Sequence, residues 1–365
     1  MRRVLFTTLI LFGFSFCMAQ TQWQQVDPEH IHGQGWKNEQ RPFNRLPQKA
    51  KNQVRKAVWN LGKHAAGLSL EFTSNASLIE FRYVVENELA YPHMPATGKS
   101  GIDLYTYNNK QEFWIKGNYQ FKDTIYYSFK GIAPTEHIED PNRKYKLYLP
   151  LYNSVKWIEF RTNPSTSLSF VPPSNTQPIV IYGTSIAQGA CATRPGMAWG
   201  NIVARQLEQP VINLGFSGNG RLEAPIMDLI NELNPALVIL DCLPNFYLNG
   251  RHTLPQVKER LLQSVAQIRK QHPNTPILLT QHMGYAEALI QTKKAEANQP
   301  LNQTLTETFQ QLIQQGHNNL YMLSKEEIGL DHNSYVDGTH PNDMGMLRYA
   351  EAYLKKIAEI FPKNP

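Results

Sequence analysis

Apolar and polar residues alternate one by one from about residue 66 to 161, in stretches such as LSLEF, SLIEFRYVV, GIDLYTY, EFWIKGNYQF, TIYYSF and YKLYLPLYNSVKWIEF. A period of two, carried by β-branched and aromatic residues and broken by Asn, Gly and Lys-Asp turns, predicts half-buried strands in an all-β sandwich. The stretch before it, RLPQKAKNQVRKAVWNLGKHAAG, suits a short helix or an irregular lead-in equally well. Residues 163–178, NPSTSLSFVPPSNTQP, lose all periodicity and concentrate Pro, Ser, Thr and Asn, which is the composition of a linker.

Beyond that segment short apolar runs alternate with helix-length amphipathic ones. PIVIYG (178–183), VINLG (211–215), ALVILDC (236–242), PILLTQ (276–281) and LYMLS (320–324) read as buried strands. LPQVKERLLQSVAQIRKQ (254–271) and LNQTLTETFQQLIQQG (301–316) read as helices between them. Such alternation predicts a parallel sheet covered on both faces, an α/β unit. A last helix should open near Pro341, with Met344, Leu347, Ala350, Leu354, Ile357 and Phe361 as its apolar face.

The first residues follow a different grammar. Arg2 and Arg3 precede the apolar run Val4 to Phe16, and Cys17-Met18-Ala19 supplies small residues for cleavage after Ala19, the pattern of a secretory leader. The run is too short to span a bilayer, and Phe16 before Cys17 disfavours lipid attachment. The chain of 365 residues therefore divides into a leader (1–19), a β-sandwich (20–165), a linker (166–176) and an α/β unit (177–365), in a secreted or periplasmic protein. Removing two arginines and no acid lowers the formal charge from +6 to +4, with no dense basic run, so neither a nucleic-acid partner nor membrane insertion of the mature chain is expected. Cys191 and Cys242 are left, in a compartment where a disulfide can persist; a bridge and two free buried thiols are equally open.

Candidate chemistry gathers at the predicted strand ends. In IYGTSIAQG, Ser185 follows a strand that breaks at Gly183, where open α/β sheets bind ligands, although a serine there also suits a plain turn. Near the carboxyl terminus VDGTHPNDMG sets Asp337 three residues before His340. That spacing lets the carboxylate hold Nδ1 of the imidazole and leave Nε2 free as the base a serine nucleophile needs, or serves a helix cap. Acyl transfer also needs donors for an oxyanion. Gly215, Gly218 and Gly220 follow the second strand and Asn245 the third; each alone is an ordinary loop residue, and together they fall at successive strand ends.

These blocks, Ser185 in GTSI, Gly218 in NLGFSG, Asn245 in LPN and Asp337/His340 in DGTH, resemble in order and context those of the SGNH (GDSL-type) hydrolase superfamily over roughly residues 177–360. SGIDLYTY (Gly101, Asp103, Leu104, Tyr105), with RPGMAWG, GFSGNGRLE and LDCLPN, is similar to a subgroup carrying an N-terminal Gly-x-Asp-Leu-Tyr domain. The resemblance implies a three-layer, flavodoxin-like fold with Ser185 as nucleophile, His340 as base and Asp337 as its orienter. It also implies an oxyanion hole from the Ser185 and Gly218 N–H groups and the Asn245 side chain, with no metal or organic cofactor. Thr184 departs from the usual Asp, and Leu243-Pro244-Asn245-Phe246 from the usual Gly-x-Asn-Asp. Ala187 stands where the second glycine of a Gly-x-Ser-x-Gly elbow would be, which disfavours an ordinary α/β-hydrolase.

The implied activity is that of an exported serine esterase that removes acyl groups, O-acetyl first among them, from carbohydrate esters through an acyl-enzyme. A lipid or phospholipid esterase and an inactive carbohydrate-binding protein are the alternatives. Trp114, Trp157, Tyr105 and Tyr107 suit either sugar stacking or a sandwich core, and Arg194 either a cleft mouth or plain surface. Glu29-His30-Ile31-His32 would put two histidines on one strand face, but no third metal ligand follows at suitable spacing.

Overall fold

In the computed structural model the alternating region forms two antiparallel sheets packed face to face. The structure describes residues 22–362 apart from 38–39, 109–110, 133–142, 249 and 289, so the leader, with Cys17 and Ala19, lies outside the described residues. One sheet runs in the order Gln24–Gln25, Val155–Thr162, Leu78–Val85, Ile125–Lys130, Asn118–Gln120. The other runs Leu168–Val171, Ser69–Ser74, Arg143–Tyr148, Asp103–Asn108, Gln111–Ile115. Every second residue of these strands turns inward, so that Leu70, Phe72, Ile79, Phe81, Leu104, Phe129 and Leu147 fill the space between the sheets. Leu168–Val171 lies inside the segment read as linker: it pairs with Ser69–Ser74, and the backbone bonds of that pairing outweigh its turn-rich composition. The lead-in is both things the sequence allowed, a 3₁₀ turn at Gln48–Asn52 followed by an α-helix at Lys56–Leu61.

The α/β unit holds five parallel strands, β1 (Ile179–Gly183), β2 (Val211–Gly215), β3 (Leu237–Asp241), β4 (Ile277–Thr280) and β5 (Leu320–Leu323), in the order β2-β1-β3-β4-β5. That is the flavodoxin-like order, whose switch point falls beside β1. Burial is continuous along β1, β2 and β3. Ile179 and Ile181 pack on one face with Trp199, Ile202, Tyr349 and Tyr353, and Val180 and Tyr182 on the other with Ile226, Val257, Leu261 and Leu305. The expected helices stand at Leu254–Gln271, Thr292–Gln314 and Asp343–Ile360.

The last helix is turned from its expected face. Met344 and Leu347 are 45% and 44% exposed, while Met346, Tyr349, Ala350, Tyr353, Ile357 and Ile360 are buried. The cause is polar: Tyr349 and Tyr353 donate to Oδ2 of the fully buried Asp241 at 3.0 and 3.2 Å. A buried carboxyl needs such donors, so the tyrosines rather than the methionine and leucine face inward.

The two units share their cores. Ala66, Met94, Leu151 and Tyr152 join the layer over one face of the parallel sheet, and Leu46, Ala50, Val58 and Trp59 join the other. Arg45 is buried at the seam, donating to the carbonyls of Asn213 (2.9 Å), Gly215 (2.8 Å), Leu61 (2.8 Å) and His64 (2.9 Å). Burial lowers the Arg45 guanidinium to about 9. Asn213 and Gly215 lie two apart on the outer edge of β2, so the arginine covers carbonyls that an edge strand leaves unpaired.

Candidate active site

Ser185 opens a four-residue helix at the carboxyl end of β1, and only glycine fits the turn before it. A Cβ on Gly183 would stand 2.5 Å from Ala187 Cβ and 2.9 Å from Asp241 O. Thr184 caps this helix, its hydroxyl accepting the Ile186 N–H at 3.3 Å, so the departure from aspartate keeps the capping oxygen. Ser185 is 7% exposed, and its carbonyl accepts the Tyr152 hydroxyl at 3.1 Å.

The tertiary fold brings His340 to this serine across 155 residues: Ser185 Oγ lies 2.9 Å from Nε2. Nδ1 lies 2.7 Å from Asp337 Oδ2, while Asp337 Oδ1 accepts the backbone N–H groups of Thr339 (3.1 Å) and His340 (2.8 Å). With the carboxylate taking the Nδ1 proton, Nε2 is left to accept from the serine hydroxyl. Burial pushes the Asp337 carboxyl up, but the His340 ring, by its hydrogen bond and its charge, and the backbone donors of His340 and Thr339 outweigh it and hold the carboxyl below its ordinary value.

The residues expected to supply the oxyanion donors stand on the loops after β2 and β3, which Gly220 ties together and to the end of β1. Gly218 adopts φ +67°, a left-handed conformation that glycine tolerates, with open space where a side chain would stand. Asn245 ends a 3₁₀ turn after β3, and its Oδ1 accepts the Gly220 N–H at 3.0 Å. That bond orients the amide, leaving Nδ2 without a hydrogen-bond partner among the described residues. Gly220 in turn lies under Gly183, where a Cβ would come within 1.9 Å of the Gly183 carbonyl oxygen.

Several residues missed in the sequence hold this loop. Gln188 accepts the Ser217 N–H at 3.1 Å, and its Nε2 donates to Leu151 O at 3.2 Å and to His64 Nδ1 at 3.0 Å. Burial and the nearby cations Arg45 and Lys99 drop the His64 ring to about 3, so it is neutral and can accept. Nothing in the sequence marked Gln188, since Leu151 and His64 lie on the other unit and Ser217 lies on the loop after β2.

Other expectations are corrected. Arg194 is at the seam rather than at a cleft mouth: it pairs with Asp103 Oδ2 at 2.6 Å, bonds the Tyr105 hydroxyl and lies 4.5 Å from the Trp114 ring centre. Asp103 Oδ2 also accepts the Gly196 N–H at 2.9 Å, and Oδ1 the Trp114 indole at 2.5 Å. The aspartate of Gly-x-Asp-Leu-Tyr thus clamps RPGMAWG to the sandwich. Tyr105 is buried there, and Trp114, though 47% exposed, is committed to Arg194 and Asp103. Tyr107 and Trp157 are half-buried on sandwich strands. His30 closes a 3₁₀ turn and stacks on Phe170, while Nε2 of His32, on the two-residue strand that follows, lies 2.8 Å from Val171 O, so the pair does not present one strand face.

Cys191 and Cys242 are free and buried. Cys191 Sγ lies within 4.8 Å of ligand atoms of Asp337 and His340. Burial and the Asp337 charge push this thiol up to about 12, which leaves it protonated and unsuited to attack. A cleft of about 400 Å³ is lined by Leu61, His64, Tyr91, His93, Tyr152 and Ser217. A larger cavity of about 840 Å³ borders Pro178, Pro210 and Val211, at the opposite ends of β1 and β2 from Ser185. No helix among the described residues is long and apolar enough to cross a membrane.

Fold and site together define a two-unit α/β hydrolytic architecture. The model of the GDSL-like lipase/acylhydrolase family matches residues 176–358, and that of the N-terminus of SGNH-hydrolase-type esterases matches residues 21–168. The chain belongs to the GDSL-like lipase/acylhydrolase family and carries the N-terminal Gly-x-Asp-Leu-Tyr domain of its SGNH-type esterases. Among solved structures, a Bacteroides ovatus protein named as a GDSL-like lipase is 27% identical, with TM-score 0.83 over 93% of this chain and 98% of that one. The salicylyl-acyltransferase SsfX3 of a tetracycline biosynthetic pathway shares the fold at 19% identity, TM-score 0.73, over 94% and 98%. A family two carbohydrate esterase from Clostridium thermocellum shares it at 14% identity, TM-score 0.53, over 80% and 90%. No curated protein matches the chain.

Proposed function

We propose that the protein is an exported serine esterase that removes acyl groups, acetyl first among them, from carbohydrate esters. The observation that carries the reading is the hydrogen-bonded run from Asp337 through His340 to Ser185 at the carboxyl ends of the strands. Ser185 Oγ attacks the ester carbon while His340 Nε2 takes the hydroxyl proton, and Asp337 steadies the imidazolium that forms. The Ser185 and Gly218 N–H groups and Asn245 Nδ2 receive the oxyanion. Collapse expels the sugar hydroxyl, protonated by His340, and water then releases the acid from Ser185 by the same proton route. Membership of a hydrolase family and the likeness to a carbohydrate esterase support the substrate class, and the leader pattern ending at Ala19 supports export.

The cleft lined by Tyr152, whose hydroxyl bonds the Ser185 carbonyl, favours a second reading: Ala57, Leu61 and Tyr152 on its wall suit a longer or aromatic acyl group. A 4-nitrophenyl ester series from acetyl to decanoyl separates the two, preference for acetyl supporting the first. The wild type should turn over the acetate and label with a fluorophosphonate. Ser185→Ala should lose both, with a fall in kcat of more than about 10³-fold. Acetate released from acetylated xylan, mannan, pectin or chitin oligomers would identify the polysaccharide; undiminished turnover by Ser185→Ala would overturn the nucleophile.

A further inference from the structure

The sandwich unit reaches the reacting groups through the segment 87–100. It folds back on itself at the Tyr91–Met94 bridge and is held from beneath by the buried Asn153. Asn153 Nδ2 donates to the carbonyls of Asn87 and Glu88 at 3.1 Å each and to Ser100 Oγ at 2.9 Å, and its Oδ1 accepts the Asn87 N–H at 3.0 Å. Ser100 Oγ donates to Leu89 O at 2.8 Å, and the buried Lys99 ammonium bonds Glu88 O. The segment is docked as well as stiff. Thr97 Oγ1 donates to Thr193 O at 2.7 Å, and a Cβ on Gly98 would stand 2.2 Å from Ala192 O.

This frame presents two rings that stack in series on His340. Tyr91 and His93 stack with centres 5.7 Å apart and planes at 11°, and His93 and His340 with centres 6.0 Å apart and planes at 17°. Lys99 Nζ lies 3.8 Å from the centre of the Tyr91 ring. Both bonds made by His340, to Asp337 and to Ser185, act at ring nitrogens and in the ring plane. They fix where the nitrogens point and leave the tilt of the ring about the line joining them weakly restrained. A ring stacked on the face supplies that missing restraint.

We propose that His93 is a positioning residue for His340, so that the sandwich unit completes the site by holding the base from its face. The inference rests on the reading of Ser185 and His340 as nucleophile and base. Restraint of tilt matters when Nε2 must meet the serine hydroxyl and take its proton during attack, the step that an activated ester and a fluorophosphonate both report. Near-attack geometry lost at that step lowers kcat rather than binding.

The test compares wild type, His93→Ala and His93→Phe on 4-nitrophenyl acetate and in fluorophosphonate labelling. His93 is exposed, and an unchanged Tm would show the fold intact. The expected result is a fall of about 3- to 10-fold in kcat and in labelling rate for His93→Ala, with KM within about twofold. His93→Phe, which keeps a flat ring and loses the ring nitrogens, should restore most of both. An unchanged kcat in His93→Ala, a loss confined to KM, or no recovery in His93→Phe would each overturn the positioning role while leaving Ser185 in place. A wild type that neither turns over ester nor labels would instead overturn the reading of Ser185, and this inference with it.

Discussion

Replacing Asp241 with asparagine should stabilise the protein at neutral and alkaline pH. Asp241 ends β3 under the site, is fully buried, and is met by the Tyr349 and Tyr353 hydroxyls at Oδ2, while Oδ1 has no hydrogen-bond partner among the described residues. Burial, only partly offset by the two tyrosine donors, raises this carboxyl from 3.8 to about 7. In the unfolded chain it ionises near its ordinary value, so between about pH 4 and 7 the folded state binds the extra proton and stability falls as pH rises. Above the folded value the full penalty applies, about 4 kcal/mol at 1.36 kcal/mol for each tenfold change. Asparagine is never charged, and its oxygen can take both tyrosine hydroxyls. Its NH₂ falls where Oδ1 was, without a partner, at a cost of about 1–3 kcal/mol, and the protonated carboxyl sets its O–H in the same position. The two proteins should therefore match at pH 4 and diverge by roughly 2–4 kcal/mol at pH 8, a rise in Tm on the order of 4 °C. Urea unfolding of both proteins from pH 4 to 8 measures this. A constant offset across that range, or a wild type that gains on the mutant as pH rises, would refute the buried-carboxyl argument.

Arg45→Met should cost about 3–5 kcal/mol in urea unfolding, because four carbonyls lose their donors, two on the edge of β2 and two, of Leu61 and His64, across the seam; a loss below about 1 kcal/mol would show that water replaces the guanidinium freely. Gly220→Ala should lower kcat on 4-nitrophenyl acetate by about 10²-fold or more, since its Cβ would force the Gly218 loop off the Gly183 carbonyl. Wild-type turnover in that variant would mean the loop is free to move.

Much of this architecture is set by near neighbours in the chain. Alternation by one residue placed the sandwich strands, and apolar runs closed by Gly183, Gly215 and Asp241 placed β1, β2 and β3, because strand and helix periods are local. Asp337 and His340 share one turn, so their bond could be read from spacing, and Ser185, Gly218 and Asn245 each follow a strand end as expected. The tertiary structure decided what depends on a partner far along the chain. The last helix faces inward with Tyr349 and Tyr353 because Asp241, about a hundred residues earlier, needs their hydroxyls. Arg194, which the sequence left open between a cleft mouth and plain surface, is a clamp because Asp103 arrives from the other unit. Arg45, Gln188 and His93 carried no visible sign, since a buried cation, an amide and an exposed ring take their meaning from carbonyls, a backbone N–H and an imidazole that meet them only after folding. Local propensity is written residue by residue, whereas satisfying buried polar groups and aligning a reacting ring are properties of contacts between distant segments.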